Sequence, residues 1–185
     1  MFSNLSAALV FLLPMMTMRS IAGERRTGSV ILLLTLPTSN WLIITAKYLS
    51  ICCVGVILSI LLSLYPSILA YLGPVNWASV VGSFIAFNCT LFAMIAVGLF
   101  SSTLTKEPLV AALIQVMICL PFWLLGSLLT DNGGSLTSLL MACSFPHQTM
   151  RLNSGLIDLS SLLFFAGFSS IFLAFSVHNL SRVSE

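Results

Sequence analysis

Charge is what this sequence has least of. Only 6% of its 185 residues are Asp, Glu, Lys or Arg, and there are two histidines. A water-soluble domain carries roughly 25% charged residues, because its surface has to be wetted. A soluble fold this poor in charge would expose broad apolar patches and aggregate. The net charge of +2 comes without a basic, aromatic-interleaved patch, which argues against nucleic acid as a partner. The five cysteines, Cys52, Cys53, Cys89, Cys119 and Cys143, form no C-x-x-C pair. They read as quiet buried thiols rather than metal or redox groups. The sequence has no G-x-x-x-x-G-K-[ST] loop to hold ATP phosphates, no H-E-x-x-H and no G-x-S-x-G. The chain is therefore expected not to be an enzyme and to carry no cofactor of its own.

Apolar length takes the place of charge: 58% of the residues are hydrophobic. A membrane helix needs about 20 mostly apolar residues, and Phe2–Met18, Leu42–Leu64, Trp77–Leu99, Leu109–Leu129 and Leu159–His178 qualify. Main-chain polar groups in hydrocarbon must be paired within a helix or a closed barrel. These runs are too long and too uniformly apolar for alternating barrel strands. The expected fold class is all-α: a polytopic transmembrane helical bundle of about five spans, one domain over residues 1–185, with lipid around it.

Lys and Arg favour cytoplasmic loops, so the charges orient the bundle. With Arg19, Arg25, Arg26 and Lys47 inside, Tyr65–Asn76 falls outside, Lys106 and Glu107 inside, Thr130–Asp158 outside and Arg182 inside; Arg151 alone lands on the outer face. The chain then starts outside with the uncharged "MFSN". A secretory signal carries its positive charge ahead of its apolar core. Here the charge follows, and Phe2–Met18 reads as a retained helix.

No Asp, Glu or Arg lies mid-span, and Lys47 sits close enough to a helix end to snorkel. Ion-coupled transporters mark their pathway with intramembrane ionisable residues; without them, the energy for any transport has to come from another subunit. Small residues recur every four positions at Gly55, Ser59, Ser63 and Ser67, and again at Gly82, Ala86 and Thr90, resuming at Gly98 and Ser102. Such stripes let helices approach closely, either within the bundle or at a subunit interface. Asn88 and Gln115 have two readings: bonding across helices, or lining a translocation path. Pro66 and Pro121 are expected to end or kink their helices.

The remaining feature is the interruption at residues 19–41. Glu24 to Thr27 is polar and Val30 to Leu34 apolar, a pattern suited to lying along the membrane interface. Pro37 stops the segment, Thr38 to Asn40 can cap the next helix, and Trp41 anchors it at the headgroups. Its charge either holds the loop inside or docks a cytoplasmic partner.

Read as P-x-x-T-M-R-x-x-A-x-E-R-R-x-G-[ST], residues Pro14 to Ser29, followed by "LLLTLP" and Lys47, resemble the ABC-2 type permeases, and most of all their gliding-motility-associated branch. The tail "FPHQTMRLNSGLIDLSSLLFF", Phe145 to Phe165, is similar to that branch's outer loop and last span. The resemblance implies a bacterial inner-membrane exporter subunit of six helices with both ends cytoplasmic, paired with a second permease subunit and with ABC ATPase subunits that bind the ATP. The loop after the second family helix would be a coupling helix. That assigns contact with the ATPase to Glu24, Arg25, Arg26, Thr27 and Gly28, and leaves this chain without the family's first helix. A non-transporting membrane scaffold is the rival expectation.

Overall fold

The computed structural model describes residues 10, 12–18, 20–23, 39–69, 76–128, 141–153 and 158–183. All its regular elements are helices: α1 (Asn40–Leu62), α2 (Leu64–Leu69), α3 (Trp77–Leu104), α4 (Pro108–Leu128), α5 (Phe145–Asn153) and α6 (Leu159–Val183). Residues 12–17, ahead of α1, are helical as well. They are the described part of the expected first span.

Local chemistry sets the helix limits. Ser39 is extended (φ −70°, ψ 142°), and its hydroxyl accepts from Leu42 N, which caps α1. At Ser63 the helix pauses, and its N–H is shared among the carbonyls of Ser59, Ile60 and Leu61. The chain resumes as α2 with Pro66 in the first turn, where a missing N–H costs no helical bond. Asn76 caps α3 by accepting from Ala78 N, and Asp158 caps α6 by accepting from Ser160 N at 3.2 Å. Pro108 opens α4 at the position where proline is best tolerated. Pro121, by contrast, lies inside α4 and deprives the Met117 carbonyl of its usual donor.

Helices α3 and α6 run on past the apolar limits Leu99 and His178 to Leu104 and Val183. The added turns are rich in hydroxyls, which hydropathy alone counts as loop. Ser101, Thr103 and Ser181 instead donate to the carbonyls of Gly98, Phe100 and His178. A hydroxyl satisfied in this way is compatible with a helix in a low-dielectric surrounding.

Four helical stretches are long and apolar enough to cross a membrane: Asn40–Pro66, Trp77–Leu104, Pro108–Gly126 and Leu159–Ser181. The third helix is central. Of its apolar stretch 56% is buried, against 17%, 17% and 22% for α1, α4 and α6. Residues Ala93 to Leu99 are buried on every side, as expected of a helix enclosed by neighbours. The outer faces of the other three carry Leu49, Ile57, Leu61, Leu113, Met117, Leu163 and Ile171, all exposed, and this is the belt that meets acyl chains. Trp41 and Trp77 are exposed at helix starts, the depth where indole rings sit at the headgroups.

Contacts across the bundle fix its directions. Gly55 meets Leu91, Ser59 meets Asn88 and Tyr48 meets the Phe92 carbonyl, so α1 runs antiparallel to α3. The pairs Thr103–Asn179 and Phe100–Phe172 run the other way, parallel. Residues 105–107 fold α4 back on α3 as a tight helical hairpin. The spans therefore alternate.

One element lies inside the expected outer loop. In α5, Phe145, Gln148, Thr149 and Leu152 are buried on one face while Met150 and Arg151 are exposed. The Phe145 ring, 0% exposed, packs with its centroid 5.7 Å from Phe122, 5.9 Å from Phe165 and 5.2 Å from Phe168. Gln148 accepts from the Ser161 hydroxyl at 2.7 Å and donates to the Ala142 carbonyl at 2.6 Å. Arg151 forms an ion pair with Asp158. Replacing Phe145 with Ala should cost about 3–5 kcal/mol, read as a lowered unfolding midpoint of the detergent-solubilised chain. Phe145→Leu, which keeps most of the volume, should lose less than half as much.

Candidate functional site

Where the first helical segment leaves the bundle, three other helices hold it by polar contacts. Thr17 is fully buried, with its Oγ1 2.9 Å from the Leu13 carbonyl and 2.6 Å from Gln115 Oε1 on α4. The single hydroxyl proton is shared between these two acceptors. The Gln115 amide in turn donates through Nε2 to the Met94 carbonyl of α3 at 3.0 Å. The Thr17–Gln115 bond has to pass α3, and it does so over Gly98. A Cβ at that position would stand 2.7 Å from both Gln115 Oε1 and Thr17 Cβ. Glycine is required there by space rather than by backbone conformation.

One turn further along, the segment bends. Met18 N donates to the Pro14 carbonyl and Ser20 N to the Thr17 carbonyl, and the chain re-enters helical conformation at Ala22. The leading amides of that turn, Ile21 N and Ala22 N, both donate to Ser102 Oγ of α3, at 3.0 and 2.8 Å. Ser102 thus serves as an N-cap supplied by a different helix, meeting the main-chain donors that a helix start leaves open. On the other side of the bend, Lys47 Nζ of α1 donates to the Ser20 carbonyl at 2.5 Å. Thr17 stands over Gly98, and Ile21 and Ala22 over Ser102. The constant offset makes this segment parallel to α3 and directs it toward the end that the charges assign to the cytosol.

The residues singled out in the sequence fall into three groups. Glu24, Arg25, Arg26, Thr27 and Gly28 lie outside the described residues, immediately beyond this bend. The small-residue stripe of α1 faces α3. A Cβ at Gly55 would stand 2.6 Å from the Leu91 side chain, and Ser59 Oγ lies 3.0 Å from Asn88 Oδ1 and 2.8 Å from the Val56 carbonyl. Gly82, Ala86 and Thr90 are buried on α3, with Thr90 donating to the Ala86 carbonyl, whereas Ser63 donates to the Ile60 carbonyl at the helix end. Asn88 Nδ2 donates to the Phe84 carbonyl of its own helix, so Asn88 meets α1 through Oδ1 alone, whereas the Gln115 amide bonds α3 and Thr17. An apolar groove of about 500 Å³ lies between residues 12–16, α1 and α3, floored by Gly55, Phe87, Leu91 and Ile95. A second cleft of about 450 Å³ opens between α1, α3 and α6 beside Tyr48, Phe165 and Ser169. Neither amide borders these hollows.

Thr17 stood in the sequence only as one position of the permease-like motif, because a lone threonine in an apolar run carries no periodicity that would point to a contact. Ser102 was visible only as a member of a small-residue stripe. Helix α5 had a signal: Phe145, Gln148, Thr149 and Leu152 follow the i, i+3, i+4, i+7 spacing of a one-sided helix.

A bundle of alternating apolar helices around one buried helix, with a polar joint where a charged segment departs, defines a multi-pass integral membrane protein. The ABC-2 family transporter protein model matches residues 4–149, well over half of the chain. The chain belongs to that family and is a permease-type membrane component of an ABC transporter. No curated protein and no solved structure matches it.

The joint yields a direct test of its packing. Thr17→Val keeps the shape but leaves Gln115 Oε1 buried without its donor, and should destabilise the solubilised chain by about 1–2 kcal/mol; Thr17→Ser should not. Gly98→Ala should lower the unfolding midpoint more than Gly55→Ala. The Leu91 methyl can swing away from a new Cβ, whereas Thr17 is pinned by its bonds.

Proposed function

We propose that this chain is the translocating subunit of a bacterial inner-membrane exporter whose energy comes from a separate ABC ATPase subunit. Residues 19–41 are the cytoplasmic coupling segment. Within it, Glu24, Arg25, Arg26, Thr27 and Gly28 contact the ATPase, which alone binds ATP. A second permease subunit completes the transporter. The observation that carries this reading is the joint at residues 17–22, together with the family match across it. The charged segment emerges from a bend fastened to α1, α3 and α4 at once, so force applied to it reaches three spans. A segment that merely oriented the chain by its charge would have no use for such fastening.

The described residues also support the orientation. Arg151, the one Lys or Arg that this orientation puts outside, is held in an ion pair with Asp158, and the surplus of Lys and Arg falls on the side of Lys47 and Lys106, as cytoplasmic loops favour. In mechanism, ATP-driven closure of the ATPase pair would swing the coupling segments and rock the bundle between inward- and outward-open forms. The chain's own part is mechanical: it receives the movement, transmits it and shapes the apolar passage.

Changing Glu24, Arg25 and Arg26 together to Ala should abolish co-purification of the ATPase subunit while membrane insertion stays at the wild-type level. Wild-type recovery of the ATPase by this triple variant would remove the segment from the coupling role. A cysteine placed at Arg25 should react with a membrane-impermeant maleimide only in inverted vesicles. Reaction solely in right-side-out cells would reverse the topology and end the proposal.

A further inference from the structure

We propose that Ser102 and Lys47 are the positioning residues that turn the bend at residues 18–22 into a rigid lever joint, so that movement of the coupling segment is passed to α1 and α3 instead of being absorbed at the bend. This rests on the coupling role just proposed and adds where the force crosses into the bundle. Two helical pieces meeting at a bend ordinarily leave carbonyls open at the end of the first and amides open at the start of the second, and water satisfies them. A joint satisfied by water is free to flex. Here members of both sets are taken up by other helices. Lys47 Nζ holds the Ser20 carbonyl, while Ser102 Oγ holds the amides of Ile21 and Ala22. Ser102 Oγ also lies 3.5 Å from the Met18 carbonyl, so the one hydroxyl touches both sides of the bend.

Burial points the same way. Ile21 is 3% and Ala22 0% exposed, and Ser102 is fully buried, so water does not compete for the two bonds to Ser102. The Thr17–Gln115 bond over Gly98 fixes the segment one turn above the joint. The piece between Thr17 and Ala22 is therefore clamped at both ends, to α4 and to α1 with α3. A clamped bend has one way to move, together with the helices that hold it. Neither Ser102 nor Lys47 needs to touch the ATPase or the substrate for this.

The test uses the full chain in liposomes, alone and with its ATPase subunit, and compares Ser102→Ala, Lys47→Met and the conservative Ser102→Thr. In the chain alone, Ser102→Ala should speed hydrogen exchange of the Ile21 and Ala22 amides roughly fivefold, and Ser102→Thr should restore protection. With the ATPase bound, the readout is labelling of Cys143, an exposed thiol two residues before α5, by a membrane-impermeant maleimide with and without Mg-ATP. Wild type and Ser102→Thr should show an ATP-induced change in labelling rate. Ser102→Ala and Lys47→Met should keep the ATPase bound at wild-type yield but lose that change. Unaltered exchange in Ser102→Ala, or a full ATP-induced change in both variants, would overturn the joint and leave the coupling role standing. A wild-type chain that binds no ATPase, or whose Cys143 ignores ATP, would overturn both.

Discussion

Everything in this bundle depends on how closely helices can approach α3. Lipid tails are as apolar as leucine, so burying leucine inside the bundle gains little over leaving it in the bilayer. What holds the helices is contact and the few hydrogen bonds that cross between them, and both demand short separations. Glycines on both helices supply them: Gly55 of α1 receives the Leu91 side chain of α3, and Gly98 of α3 leaves the gap through which Thr17 reaches Gln115. The polar groups at these crossings are paired with one another. In hydrocarbon each would otherwise stand unsatisfied.

Two kinds of fastening divide the molecule between them. At the end near Lys47 the contacts are polar and directional: a hydroxyl capping two amides, an ammonium on a carbonyl, an amide bridging two helices. At the opposite end they are aromatic. Phe122, Phe145, Phe164, Phe165 and Phe168 pack edge to face and offset around α5, with Gln148 and Ser161 as their one buried polar tie. Hydrogen bonds fix direction, whereas aromatic pairs are stabilised in edge-to-face and offset arrangements.

The sequence made the class legible and the wiring much less so. Hydropathy and the near absence of charge were enough for an all-helical membrane bundle, because only helices and closed barrels satisfy their main chain in lipid and these runs are too long and too uniformly apolar for barrel strands. Four of the five expected spans correspond to crossing helices among the described residues, and the expected first span is described only at 10 and 12–18. The limits were less readable. Ser101, Thr103 and Ser181 look like loop residues until their hydroxyls are seen bonding back to the helix. At the candidate site, Gly98 and Ser102 were noticed for their size alone, and Thr17 only as one position of the permease-like motif. What makes these three significant is a meeting between distant parts of the chain, which local pattern does not encode. The charged residues 24–28 were conspicuous for the opposite reason, since their order does not follow from membrane insertion.

The Thr17–Gln115 bond joins residues 98 positions apart. During synthesis Thr17 enters the membrane long before its acceptor exists, and through the arrival of α1 and α3 its hydroxyl can only return to Leu13 of its own turn. The emergence of α4 completes the clasp and fixes Thr17 against α3 and α4. A nascent chain cut short before that helix would hold the Thr17 hydroxyl by its own turn alone.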